Sequence, residues 1–142
     1  MRVFLRRVST WTIADYATVV ESLATAAMVE VALRVSSIQT VLGAIETIRP
    51  LRSAAAPDGD TRARLSRFAA APYRLVFQRP NCLRHSLVLC AMLRRRGMQA
   101  RLCIGVERLG DGLAAHAWVD VPGMDRDGGL SRFRELPRAW SA

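Results

Sequence analysis

Apolar residues recur three and four apart through the first quarter of the chain: Ile13, Tyr16, Ala17, Val20, Leu23, Ala27, Val31 and Val35. That period predicts one long amphipathic helix over about 12–35. Thr12 and Asp15 have the spacing of a capping box at its start. Ser36 and Gln39 repeat the start signal, and Ile38, Val41, Leu42 and Ile45 form the buried face of a second helix that Pro50 stops. Residues 51–60, rich in Ala, Pro, Asp and Gly, read as a flexible linker. Asp60 or Thr61 can cap a short third helix reaching about Ala71, with Pro72 as its end.

The next helix has the clearest pattern. Asn81 is a suitable N-cap, and Leu83, Leu87, Cys90 and Leu93 make one apolar stripe over 82–96. Arg94, Arg95 and Arg96 fall in the last turn, where the negative end of the dipole favours cations, and Gly97 supplies the stop. Their simplest role is a solvated helix end. Residues 100–107 then alternate as a strand, with Leu102, Ile104 and Val106 on one face and Arg101, Cys103, Gly105 and Glu107 on the other. A turn over 109–112 leads to a second strand over 114–121, antiparallel to the first. Pro122 and Gly123 turn again, and a last short segment is expected near 130–136.

These elements fit one domain. The 142 residues suffice for one hydrophobic core, and 51% apolar content argues against disorder. The net charge of +9 comes entirely from arginine, with eleven arginines against six acids up to residue 80 and ten against six beyond. Such even spreading suits acidic partners in general more than a nucleic-acid stripe, which would also recruit lysine and stacking aromatics. Cys82, Cys90 and Cys103 cannot all pair, so free thiols in a reducing, cytoplasmic setting are the simplest reading. Arg2, Arg6 and Arg7 begin the chain as a signal peptide might, but Asp15 and Glu21 interrupt the apolar run it would need. Glu21, Glu30, Arg34 and Glu46 likewise break every candidate membrane span.

Chemistry concentrates on Cys82 and, 34 residues later, His116. At a helix N-terminus, unpaired N–H groups and the positive end of the macrodipole stabilise thiolate. An imidazole on a neighbouring strand can form an ion pair with that thiolate and later protonate a leaving group. The backbone N–H of Cys82 could donate to a tetrahedral oxyanion, with Gln78 as a candidate second donor. A carboxylate should orient the imidazole. Asp120 shares the face of His116 and Trp118 but lies about 13 Å along the strand, too far for contact. Asp125 and Asp127, beyond the Pro-Gly turn, are better placed, and Asp127 is preferred.

Several of these fragments occur together in a known combination. Cys82-Leu-x-x-Ser86-Leu87-x-Leu89, Leu93-Arg-Arg-Arg-Gly97, Ala100-Arg-Leu-x-Ile-Gly-Val106 and Ala115-His116-Ala-Trp-Val-Asp120 resemble the transglutaminase-like leader peptidases of lasso-peptide biosynthesis. The resemblance covers residues 82–121. It implies an α+β fold with a papain- or transglutaminase-like core, the Cys82 helix on a small antiparallel sheet, and an N-terminal helical layer. Residues 1–50 would form that layer, 51–60 the linker and 61–142 the protease core. It further implies a cysteine protease that removes the leader of a ribosomally made precursor before a lasso cyclase closes the macrolactam. No cofactor is implied, and a small leader-recognition protein would act in trans. The family's triad is the cysteine, the histidine and an aspartate about twelve residues further on. That carries over to Cys82 and His116 directly; Gly128 stands at the twelfth position, so Asp127 requires a one-residue shortening.

Other candidates have plainer roles. Cys90 and Cys103 read as core residues, Trp118 as a wall of the site or core, and His85 as packed or solvent-facing. Cys82, His85, Cys90 and Cys103 match no common zinc spacing. Gly110 and Gly112 are a turn and not a phosphate loop.

Overall fold

A computed structural model describes residues 12–50, 59–77, 81–123 and 128–137. They form four helices and a three-stranded antiparallel sheet, an α+β arrangement as the sequence suggested. Helix α1 spans Ile13–Val35 and begins with the expected capping box. The Thr12 hydroxyl accepts the Asp15 N–H at 3.3 Å, and the Asp15 carboxylate accepts the Thr12 N–H at 2.8 Å.

The orientation of α1 is the first departure from the sequence pattern. Its apolar stripe faces outward: Ile13 is 89% exposed, Val20 65% and Val35 76%. Ser22, Thr25 and Glu30 are buried instead, and each has a partner that offsets the cost of burial. Ser22 donates to the Phe68 carbonyl at 2.7 Å, and Thr25 accepts from Arg95 at 2.6 Å. Glu30 pairs with Arg84 at 2.7 Å. By length and composition α1 could cross a membrane, contrary to expectation, but its inner side packs against the other three helices and carries these polar residues.

Helix α2 spans Ile38–Glu46, with Val41, Leu42 and Ile45 buried as expected. Its cap is Ser37, one residue later than read, while the Ser36 N–H closes α1 on Ala32. It ends at Thr47, ahead of Pro50. The expected linker lies outside the described residues as far as 58, and Gly59 and Asp60 are already helical.

Helix α3, Gly59–Leu75, continues through Pro72 where an end was expected. Proline deprives the carbonyl four residues earlier of its donor. Here that carbonyl belongs to Phe68, and it accepts the Ser22 hydroxyl from α1. A polar residue on the inner face of one helix thus satisfies the bond that proline breaks in another.

Helix α4, Cys82–Arg95, is the centre of the core, buried on every side from Ser86 to Leu93. Asn81 caps it by accepting the Leu83 N–H at 2.9 Å. Gly97, at φ 80°, lets the chain close a Schellman motif, with Met98 N–H on the Leu93 carbonyl at 3.1 Å and Gly97 N–H on Arg94 at 2.8 Å. The three terminal arginines are not a solvated end. Arg94 donates to the carbonyls of Ala100 and Glu46, Arg95 to Thr25, and Arg96 to both carboxylate oxygens of Glu21 at 3.1 and 2.7 Å.

Strands β1, Arg101–Leu109, and β2, Gly112–Asp120, form a hairpin around Gly110 at φ 58° and Asp111. Both reach the turn, further than their alternation indicated. After a short 3₁₀ turn over Gly128–Arg132, β3, Arg134–Glu135, pairs on the other side of β1. The order β2-β1-β3 leaves β2 at an edge. Leu102 and Val119 face α4 and complete the core.

The inversion of α1 sets opposite expectations for two valines. Val29→Ala, on its buried side, should destabilise the fold by about 2 kcal/mol in urea denaturation. Val20→Ala should change it by less than about 0.5 kcal/mol.

Candidate active site

In an antiparallel hairpin, alternate residues turn their N–H and C=O groups away from the partner strand. The two-residue turn fixes which ones: Leu109 and Gly112 close the ladder, so Leu113, Ala115, Ala117 and Val119 point outward from β2. Two of these carbonyls are taken. The Ser86 hydroxyl of α4 donates to Ala117 at 3.0 Å, inside the core, and the Arg62 guanidinium of α3 donates to Val119 at 3.1 Å.

These bonds border the cleft that both sequence candidates line. Cys82 lies one helical turn before Ser86, and His116 is the neighbour of Ala117. Both line one cleft of about 900 Å³ between α3, α4 and β2. Arg84, pairing with Glu30, ties the same turn of α4 to α1. Cys82 is the first residue of α4 and half-buried. Asn81 occupies the Leu83 N–H, and among the described residues nothing accepts from the N–H of Cys82. An anion beside the sulfur would therefore meet a free donor and the positive end of the helix.

His116 is held by aromatic rings. Phe133 stacks on the imidazole at 5.2 Å between centroids, and Trp118 lies 6.4 Å away at an interplanar angle of 16°. Arg132 in turn covers Phe133 at 5.2 Å and pairs with Glu107 at 3.3 Å. Gly105, opposite His116 on β1, makes room for this stack. A Cβ there would come within 2.8 Å of Trp118 and 3.0 Å of Phe133.

Asp120 is occupied elsewhere, accepting from Arg101 at 2.8 Å, and is not brought to His116. Asp125, Asp127 and Gln78 lie outside the described residues. Cys90 and Cys103 are buried, and burial pushes their thiols up to about 12 and about 11. Neither is a nucleophile near neutral pH. Trp118 is both wall and core, lining the cleft while 7% exposed.

His85 also lines the cleft but is packed rather than solvent-facing. Its Nε2 donates to the Ser66 carbonyl at 3.0 Å, and burial holds its pKa below the ordinary 6.5. Two contributors escaped the sequence reading: Phe133 carries no motif, and α3 gave no sign that it forms a wall. Ser86 was read only as part of the family pattern, without its bond to β2. Gly105 carried a signal: glycine inside an alternating strand, opposite a candidate histidine, marks a close approach.

Residues 25–138 match the transglutaminase-like superfamily, and the chain belongs to it. That superfamily has a cysteine peptidase or acyltransferase fold, and the helix-on-sheet arrangement around Cys82 agrees with it. No curated protein matches the chain, and no solved structure does.

Two outcomes follow from this geometry. Gly105→Ala should displace Trp118 and Phe133 and cost about 1–3 kcal/mol in thermal or urea unfolding. For His85 the unfolded chain takes up a proton as pH falls through about 6.5, whereas the fold resists protonation. Stability should be full above that value and fall on acidification toward the lower folded pKa. His85→Gln should reduce the difference between unfolding free energies at neutral and mildly acidic pH.

Proposed function

We propose that the chain is a cysteine peptidase that removes the leader from a ribosomally made lasso-peptide precursor. The observation that supports it best is Cys82 as first residue of α4, sharing a cleft with His116 across the Ser86–Ala117 bond. In this reading His116 takes the proton from the Cys82 sulfur, and the thiolate attacks the carbonyl carbon of the leader–core amide. The Cys82 N–H stabilises the oxyanion, since among the described residues nothing else accepts from it. When the C–N bond breaks, His116 returns the proton to the departing amine and a thioester remains. Water, deprotonated by His116, hydrolyses it to a carboxylate and regenerates the thiol.

The cleft suits a peptide with acidic character. Arg62 and Arg67 line it, and no Asp or Glu does among the described residues. A leader-recognition protein would deliver the precursor before the cyclase takes the released core. The outward stripe of α1 supports such a protein partner, since contiguous exposed apolar surface of this kind marks an interaction site.

Cys82→Ala should abolish cleavage of a precursor peptide, and His116→Ala should lower kcat by at least about 100-fold. Full leader removal by both variants would reject the peptidase and leave a scaffold. Mass spectrometry of the product separates hydrolysis from transfer: two fragments mean a peptidase, and an isopeptide adduct with an added amine means an acyltransferase. Comparing Asp125→Asn with Asp127→Asn tests the third position. A selective loss at Asp127 is expected, and an equal effect would remove that assignment.

A further inference from the structure

The outer edge of β2 is covered over only half its length. The outward carbonyls of Ala117 and Val119 are occupied by Ser86 and Arg62. Leu113 and Ala115 turn their N–H and C=O groups the same way, by the alternation of the ladder. Among the described residues no group bonds to them there. Both residues are exposed, Leu113 by 76%. The open edge is short and uncharged, without the lysine, proline or bulge that ordinarily blunts such an edge. It runs directly into the cleft, because the residue after Ala115 is His116.

We infer that this open half-edge is the docking site for an extended segment of the substrate peptide, which adds to the sheet as a strand beside Leu113 and Ala115. This rests on the reading of Cys82 as a reactive thiol in a peptide-cleaving cleft. The occupant is a peptide because the edge offers only backbone donors and acceptors, spaced for another backbone. The edge is continuous with the cleft, and the Ser86 bond fixes where the ladder must stop. A strand paired at Ala115 finds the next carbonyl, Ala117, already taken. It must leave the sheet there, beside His116 and Cys82. Main-chain pairing makes the docking tolerant of side chains, while Leu113 supplies an apolar contact for one of them.

The test uses the full chain and measures the rate of covalent labelling at Cys82 by mass spectrometry. The long probes carry the alternating peptide (Thr-Ala)₃, one with a C-terminal vinyl sulfone and one with an N-terminal chloroacetyl group. The short probes carry the same electrophiles on a single alanine. The expected result is that one long probe labels Cys82 at least about tenfold faster than its short counterpart, as two or three added hydrogen bonds would give. Single N-methylation along that probe should then remove the gain at every second position. Ala115→Pro should erase the long probe's gain over the short one; its N–H is not in the β1 ladder, so the edge tolerates proline. Equal rates for long and short probes, or losses without a period of two, would overturn strand docking while leaving the reactive thiol intact. The N-methyl series on the unaltered protein decides the matter should Ala115→Pro fail to fold. Failure of every probe to label Cys82 would remove the thiol reading and this inference with it.

Discussion

The covering of the β2 edge is the constraint on which the site depends. A strand edge exposes backbone groups that must be paired or solvated. In this chain two side chains from two different helices take the outward carbonyls of Ala117 and Val119. Because Ser86 is buried, its hydroxyl has strong reason to keep that partner, and losing it would strand both donor and acceptor in the core. The bond therefore ties α4 to β2 at the cleft that Cys82 and His116 both line. Two residues 34 apart in sequence thus come to line one cleft along a closed edge.

The inside-out helix α1 belongs to the same economy of backbone pairing. Pro72 leaves the Phe68 carbonyl without its usual donor in the middle of a helix. Ser22 satisfies it, which requires the polar side of α1 to face α3. Glu21, Thr25 and Glu30 then meet Arg96, Arg95 and Arg84, all from the central helix. Once these pairs are made, the apolar stripe has nowhere to go but outward. The layer thus rests on hydrogen bonds and partly buried ion pairs beside the core residues Ala26 and Val29, and the rest of its apolar surface is left available for association.

The elements that rest on local signals were largely legible. The capping box, the Asn81 cap and the Gly97 stop occur as read, and the hairpin forms with longer strands than its alternation indicated. What failed was the inference from pattern to partner. Periodicity locates the apolar side of α1 but cannot say which side the rest of the chain covers. Pro72 read as a stop because its rescue by Ser22 lies 46 residues away at the Phe68 carbonyl. The arginines of α4 read as solvated because their acceptors come from α1, α2 and the approach to β1. Cys82 and His116 were legible because a cysteine at a helix start and a histidine on a strand are each local patterns. The aromatic setting of His116 was not, since Phe133 arrives from beyond two turns.

Under the proposed peptidase reading, that setting changes what a third catalytic group would have to do. An imidazole needs its plane fixed, its rotation fixed and its proton on the correct nitrogen. Stacking by Phe133, reinforced by Trp118, fixes the plane, and the Arg132–Glu107 pair anchors the stack at its outer end. Stacking says nothing about rotation within the plane or about tautomer, because a ring face presents no directional acceptor. Those two tasks fall to a hydrogen-bond acceptor at the ring edge, which is the role an aspartate would fill. A carboxylate working beside this stack selects the tautomer of an imidazole already held in its plane. Its removal should therefore weaken proton transfer more than it disorders the site.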